Sequence, residues 1–157
     1  MDDGGYRCSH RALRGCFARR GSRALSDHLR AERRPTWPFD DFTSALLDAA
    51  LDGAEEKVGV DPVVLAMAEL MDAFEALVIV AGRNDRQVRA IAEEVERVVG
   101  ERTGIKPLRV EGRDAGEWIA LDYGDVIVHV FDEAVREYYD LEHLWNAAPS
   151  FRRSAAE

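Results

Sequence analysis

The sequence lacks the features that would place it in a common enzyme or membrane-protein class. No apolar run approaches the ~20 residues of a membrane-spanning helix. Residues 63–68 and 77–81 are only as long as strands. Neither GxGxxG nor GxxxxGKS/T, the glycine-rich patterns that bind nucleotide phosphates, occurs. In residues 39–157, no serine or cysteine has an obvious base partner for nucleophilic catalysis. We therefore predict that the chain is not an enzyme and needs no cofactor or metal.

Cysteine is nearly absent. Cys8 and Cys16 both lie in residues 1–38, and their spacing matches neither CxxC nor a disulfide framework. Together with His10 and His28 they could form a set of zinc ligands, but no pair of these residues has the spacing of a zinc finger. The rest of the chain has no cysteine, which is typical of proteins in a reducing cytosol. We predict a cytoplasmic location.

Basic charge is scarce outside the N-terminal segment. Residues 1–38 contain nine arginines and four acidic residues, whereas residues 39–157 contain 12 basic and 26 acidic residues, a net charge of −14. An acidic body repels nucleic-acid phosphates and attracts basic proteins. We therefore expect a basic protein as the partner, with no direct nucleic-acid readout and no membrane binding.

The composition divides the chain into three parts. Residues 1–38 are rich in arginine, glycine, serine and alanine, show no apolar period and end at a proline pair around Trp37. An arginine-rich leader is also typical of organelle transit peptides. The remaining chain is biased towards alanine, arginine, aspartate and valine, a composition typical of bacterial proteins, which have no organelle transit peptides. We therefore favour a disordered extension, or a stretch translated from a wrongly chosen start codon. We predict one domain over residues 39–149 and a flexible tail over residues 150–157.

Hydrophobic periodicity predicts an α/β (α+β) fold. Residues 41–57 have the apolar stripe of a core-facing helix, with Asp40 or Thr43 as its cap. A second helix begins after Asn84, with Gln87 in a capping-box position, and ends at Gly100 or Gly104. Strands are predicted at residues 63–67, 77–81, 108–111, 118–122 and 126–131, and a last helix at residues 133–145. The order indicates a mixed sheet of about five strands with helices on its faces. The helix after the second strand would form a crossover to the third.

Carboxylates near the hairpin are compatible with two roles. Asp122 and Asp125 flank the turn, and Asp132 with Glu133 follows the next strand. Such pairs can hold a divalent metal for nucleotidyl transfer. Residues at a tight turn are more often turn-formers, so the metal-dependent enzyme is the weaker alternative. His129 lies mid-strand between two valines, where a hydrogen-bonded structural role is expected.

Aromatic side chains with acidic neighbours indicate a protein-binding surface. Trp118 and Tyr123 lie on the predicted hairpin, and Tyr139 lies on the last helix. Protein interfaces commonly use aromatic anchors inside a charged rim. The competing interpretation is that these rings belong to the core.

Five motifs, in their order and spacing, resemble the ribosomal silencing factor family, also called Iojap-like. They read GRNDRQVRAI at residues 82–91, KPLRVEG at 106–112, GEW at 116–118, DYGDVIVHVF at 122–131 and YYDLEHLW at 138–145. The resemblance covers roughly residues 41–149. It implies a fold similar to nucleotidyltransferases in a protein that is not an enzyme.

The resemblance also implies a partner and a mechanism. Family members bind the large ribosomal subunit through its protein fourteen and sterically prevent joining with the small subunit, which represses translation when nutrients are scarce. Organelle relatives act in assembly or silencing, and members can form homodimers when free. Carried onto this chain, the hairpin motif over residues 117–125 is the expected contact surface, followed by the motif at residues 139–141 in the last helix. The expected contact residues are Glu117, Trp118, Leu121, Asp122, Tyr123, Asp125, Tyr139 and Asp140.

Overall fold

A computed structural model describes residues 36–153, which form four helices and six strands. The helices are α1 (Asp41–Glu56), α2 (Asp85–Thr103), α3 (Glu133–Tyr139) and α4 (Leu141–Leu144). The strands are β1 (Val60–Ala66), β2 (Ala76–Gly82), β3 (Arg109–Glu111), β4 (Trp118–Asp122), β5 (Val126–Asp132) and β6 (Ser150–Arg152). Within this part of the chain, no helix combines the length and apolarity that crossing a membrane requires.

One mixed sheet contains all of these strands, in the order β3-β4-β5-β2-β1-β6. The central pair, β2 and β5, is parallel, and every other neighbouring pair is antiparallel. All seven residues of β2 are buried, as a central strand covered on both faces requires. The predicted mixed α/β fold is confirmed, with six strands instead of about five. The likeness to nucleotidyltransferases stays a prediction.

Helices α1 and α2 cover one face of the sheet, which we call the helix-covered face. Both helices begin as predicted, because Asp40 accepts the backbone N–H of Thr43 at 2.7 Å and Asn84 accepts that of Gln87 at 2.9 Å. Helix α2 ends at Gly104, whose φ of 73° suits a left-handed C-cap. The two helices and this face enclose the larger of the two hydrophobic clusters in the described residues.

The contact between α1 and α2 depends on a glycine. A Cβ atom at Gly53 would lie 2.9 Å from the Cα of Val95 and 3.0 Å from the carbonyl oxygen of Glu94. Both distances are below the normal van der Waals range, so only glycine permits this approach of the two backbones. The two helices can therefore pack closely together, and their apolar side chains share one buried cluster with the sheet.

The opposite face of the sheet, which we call the groove face, is covered less completely. A smaller cluster that includes Val63, Leu65, Leu77, Ile79 and Phe131 packs there. Its cover comes from the connection between β1 and β2 and from the segment after β5, including α3 and α4. This unequal covering leaves part of one face of a hydrophobic sheet accessible.

Both predicted domain boundaries need correction. Trp37 was assigned to the N-terminal extension, yet it is buried and its indole N–H donates to Asp48 Oδ1 at 3.1 Å. The predicted flexible tail begins with β6, which pairs with β1. Arg153 then forms an ion pair with the buried Asp52 at 2.8 Å. Short strands carry too little periodicity to be seen in sequence. Residues 1–35, with both cysteines, and residues 154–157 lie outside the described residues.

Of two predictions about connections, one is wrong and one is confirmed. The last helix does not run through residues 133–145, because Asp140 adopts φ 42° and separates α3 from α4. It ends one helix and caps the next by accepting the N–H of His143 at 3.2 Å. The predicted crossover is present, because α2 connects β2 to β3, which lies in the same sheet and runs in the same direction. The parallel neighbour of β2 is β5, and β3 lies at the sheet edge.

We expect Gly53→Ala to lower the free energy of unfolding by about 1–3 kcal/mol, because the new methyl group overpacks the helix contact. This loss would occur although alanine is the better helix former by about 1 kcal/mol. The matched control is Gly100→Ala in α2, where the nearest atom to a new Cβ would be 3.8 Å away. Urea denaturation should show the control to be neutral or more stable. Equal effects in the two variants would contradict the close-contact account.

Candidate functional site

Strand alternation divides the predicted contact hairpin between the two faces of the sheet. Trp118, Ala120 and Asp122 point to the groove face, whereas Ile119 and Leu121 point into the helix-covered core. Tyr123, directly after β4, also packs in that core. The motif that appears continuous in sequence therefore contributes only every second side chain to the accessible face.

A groove of about 410 Å³ lies on the groove face. The strands supply its polar lining through Arg109, Glu111, Asp122 and His129. Its apolar and aromatic lining consists of Phe74, Leu77, Trp118, Ala120, Ile127, Leu141, Leu144 and Trp145. An apolar concavity with a few polar groups is the usual form of a binding site.

Trp118 is the centre of an aromatic cluster beside this groove. Its ring stacks on Phe131 with centroids 4.9 Å apart, and Tyr139 packs against it at the same centroid distance with the planes inclined by 49°. The indole N–H of Trp118 donates to Nδ1 of His129 at 2.8 Å. The indole is only partly buried, so one portion is held by the cluster and the other remains available.

His129 is held in the neutral form. Burial lowers the pKa of His129 to about 4, because removal from water disfavours the imidazolium. The hydrogen bond requires the same state, since Nδ1 must keep a lone pair to accept the Trp118 N–H. The proton of the neutral ring is therefore on Nε2. The expected hydrogen-bonded role of this histidine is confirmed.

The loop between β3 and β4 is anchored to α2, and this anchoring sets the start of β4 at Trp118. The Arg89 guanidinium donates to the carbonyl oxygens of Arg113 at 3.1 Å, Asp114 at 2.9 Å and Ala115 at 3.2 Å. Asp85 accepts a further N–H of Arg89 at 2.8 Å. Gly112 has φ 84°, and a Cβ there would lie 1.8 Å from the carbonyl oxygen of Trp118.

The acidic residues of the predicted site act mainly in turns and caps. Asp122 Oδ1 accepts the N–H of Gly124 at 2.8 Å, which stabilises the hairpin turn. Asp132 Oδ1 accepts the N–H of Ala134 at 3.0 Å and so caps α3. No group of three metal-binding side chains occurs among residues 36–153. The turn-forming interpretation of Asp122 is confirmed.

Two residues of the predicted contact set are misplaced. Leu121 and Tyr123 are buried in the helix-covered core, so a partner cannot touch them while the sheet is intact. Burial raises the pKa of the Tyr123 phenol, as expected for an acid removed from water. Strand alternation starting from Trp118 places Ala120 and Asp122 on the same face as Trp118. It places Leu121 and Tyr123 on the opposite face.

The other predicted contact residues lie around the groove face or at its ends. Trp118 and Tyr139 touch each other, and Asp140 directly follows Tyr139 at the break between α3 and α4. Glu117 and Asp125 are exposed at opposite ends of the β4–β5 hairpin. The predicted set of contact residues omits Phe74, Leu77, Ala120, Ile127, Leu141 and Leu144, which line the groove. Strand alternation indicates that Ala120 and Ile127 face the groove, but no sequence signal indicates that Phe74 lines it.

With this geometry established, comparison with known proteins assigns the family. Residues 40–157 match the family described as "Ribosomal silencing factor during starvation", or RsfS. The chain belongs to the ribosomal silencing factor family. The resemblance inferred from the five motifs is thereby confirmed.

Individual relatives agree with this assignment. The ribosomal silencing factor RsfS of Chromobacterium violaceum is 38% identical over 109 residues, covering 69% of this chain and 88% of that protein. A crystal structure from the same organism superposes with a TM-score of 0.61 at 37% identity, covering 64% of this chain and 83% of that one. A mouse protein named "Mitochondrial assembly of ribosomal large subunit protein 1" is 40% identical over 38 residues, 24% of this chain and 17% of that protein.

The neutral state of His129 predicts a pH dependence. Its folded pKa of about 4 lies below the ordinary 6.5, so the unfolded chain takes up the proton first as the pH falls. The stabilisation is complete above pH 6.5 and is lost as the pH falls towards 4, by up to about 3 kcal/mol. Urea denaturation from pH 7.5 to 4.5 should show a steeper loss for the natural chain than for His129→Asn. Identical slopes would show that His129 is not held neutral.

Proposed function

We propose that this chain binds the large ribosomal subunit through large-subunit protein fourteen and prevents joining with the small subunit. The family supports a ribosome-associated role in silencing or assembly. The single structural observation that carries the choice of surface is the open aromatic groove beside Trp118. No bond is made or broken in this mechanism, because a bound protein excludes another by occupying its position.

The groove has the composition of a protein-binding hot spot. Trp118, Tyr139 and Trp145 provide aromatic surface, while Arg109 and Glu111 form a charged rim. Aromatic side chains at the centre of an interface, surrounded by polar groups that exclude water, contribute most of the binding free energy at such sites. Tyr138 and Leu144 are exposed at 82% and 64%, so the segment after β5 offers further apolar surface to a partner.

Net charge favours a basic partner. Residues 39–157 have a net charge of −14, which accelerates encounter with a positively charged surface and disfavours direct approach to ribosomal RNA. Ribosomal proteins are generally basic. The charge of the whole domain would therefore steer association, whereas the groove would determine the position of the bound protein.

A second candidate is a role in assembly of the large subunit. It is favoured by the name of the mouse relative, which describes mitochondrial assembly of that subunit. Both candidates use the same binding surface on the same subunit. They differ in whether the bound protein reduces joining of mature subunits.

Substitutions in the groove test the binding surface. Trp118→Ala should reduce affinity for purified large subunits by about 30-fold or more, the effect of losing one hot-spot side chain. Because this change also removes core contacts, Ala120→Leu is the companion variant, since it adds bulk to the groove lining and removes no atoms. Co-sedimentation of the full chain with large subunits measures both. Normal binding by folded forms of both variants would exclude the groove.

Charge reversal at the rim provides a matched comparison. Glu111→Lys on the groove face and Glu93→Lys on α2 change the net charge equally, and both positions are exposed. We expect Glu111→Lys to weaken binding to large subunits more strongly, because only this lysine would oppose a basic partner at the contact. Equal losses for both variants at several salt concentrations would indicate general charge steering without a localised acidic contact.

Subunit joining separates silencing from assembly. Mixing purified small and large subunits with the full chain should lower the yield of joined ribosomes on a sucrose gradient, in proportion to bound protein. Ala120→Leu should restore joining to the extent that it weakens binding. Stable binding to mature large subunits with undiminished joining would contradict silencing and leave assembly as the function.

A further inference from the structure

We propose that His129 is a positioning residue that fixes the orientation of Trp118 in the partner-binding groove. The inference rests on the proposed function of the groove and deepens it, because it assigns the side chain that prepares the principal aromatic contact. His129 itself lines the groove floor. Its main action is exerted through the hydrogen bond that its Nδ1 accepts from the Trp118 indole.

Sheet register makes this bond a diagonal one. Trp118 is paired with Phe131, and His129 is paired with Ala120, two residues further along β4 on the same face. The indole therefore extends diagonally from β4 towards β5 to reach the imidazole. Ala120, which is directly opposite His129, has only a small side chain on the same face. A larger residue there would compete for the space beside the groove.

The other contacts of Trp118 fix its ring less completely. Phe131 stacks on it with the planes inclined by 28°, and Tyr139 contacts it from the end of α3. Aromatic stacking tolerates rotation and sliding within the ring plane. An N–H to N hydrogen bond of 2.8 Å is strongly directional. It is therefore the contact that selects one orientation of the indole.

Preorganisation explains why this orientation would matter for binding. An aromatic side chain that is already ordered in the free protein loses less conformational entropy when a partner covers it. If the bond is absent, the indole N–H must find water or remain unpaired when the groove is covered. Such an unpaired buried donor weakens binding. His129 would thus raise affinity without needing to touch the partner.

The first measurement reads the bond in the free protein. Nuclear magnetic resonance of the full chain labelled with nitrogen-15 shows the indole N–H of each of the three tryptophans. We expect His129→Leu to shift the Trp118 signal and speed its exchange with water, while the Trp37 signal, from an indole bonded to Asp48, stays in place. The conservative variant His129→Asn, whose Oδ1 can stand where Nδ1 accepts, should retain the protected signal. An unchanged Trp118 signal in His129→Leu would overturn the proposal.

The second measurement connects the bond to binding. We expect His129→Leu to lower the affinity for large subunits about three- to tenfold in co-sedimentation, the change in affinity that the loss of one hydrogen bond produces. His129→Asn should retain most of the natural affinity. In a double-mutant cycle with Trp118→Phe, which lacks the N–H, the two losses should not add. Additive losses, or an asparagine variant as weak as the leucine variant, would overturn the proposal.

The two measurements also separate this inference from the proposed function. If the natural chain does not bind large subunits, the function proposed for the groove fails. The indole signals then still decide whether His129 orients Trp118. If His129→Leu does not fold, Trp118→Phe keeps the test intact, because it removes the same bond from the other side. Binding by folded Trp118→Phe as tight as that of the natural chain would overturn the proposal.

Discussion

The parallel pairing of β2 with β5 is the constraint on which the other features depend. It places a fully buried strand at the centre of the sheet and sets Ile79 opposite His129 and Ala81 opposite Phe131. Because side chains alternate along each strand, this register decides which residues of β5 enter the helix-covered core and which reach the groove face. The antiparallel pairing of β4 with β5 then extends the same division to Trp118 and Ala120.

The two faces of the sheet have different consequences for stability and function. On one face, α1 and α2 approach closely at Gly53 and enclose a hydrophobic core. On the other face, short helices and a connecting segment cover the sheet only in part, so an aromatic groove stays open. A fold that closes one face tightly can leave the other accessible, because the first supplies most of the buried apolar area.

Sequence periodicity was sufficient to predict the main helices and strands, but it did not predict where the domain begins and ends or where the last helix breaks. The stripes of α1 and α2, the caps at Asp40 and Asn84, and the β4–β5 hairpin followed from local rules that the structure confirms. Trp37, β6 and the break at Asp140 depend on contacts with residues distant in sequence, which no local pattern encodes. The motifs identified the family. They could not show which side chains face the groove, because this depends on which face of the sheet the helices cover.

The central claim is that the groove face contacts the large ribosomal subunit and the helix layer does not. Hydroxyl-radical footprinting of the full chain, free and bound to purified large subunits, tests it directly because it reports the solvent exposure of each side chain. We predict protection of Trp118, Tyr139 and Leu144 on binding, with unchanged oxidation of Phe42 and Val58, which are exposed and do not line the groove. Protection of Phe42 and Val58 with an unprotected groove would contradict the account.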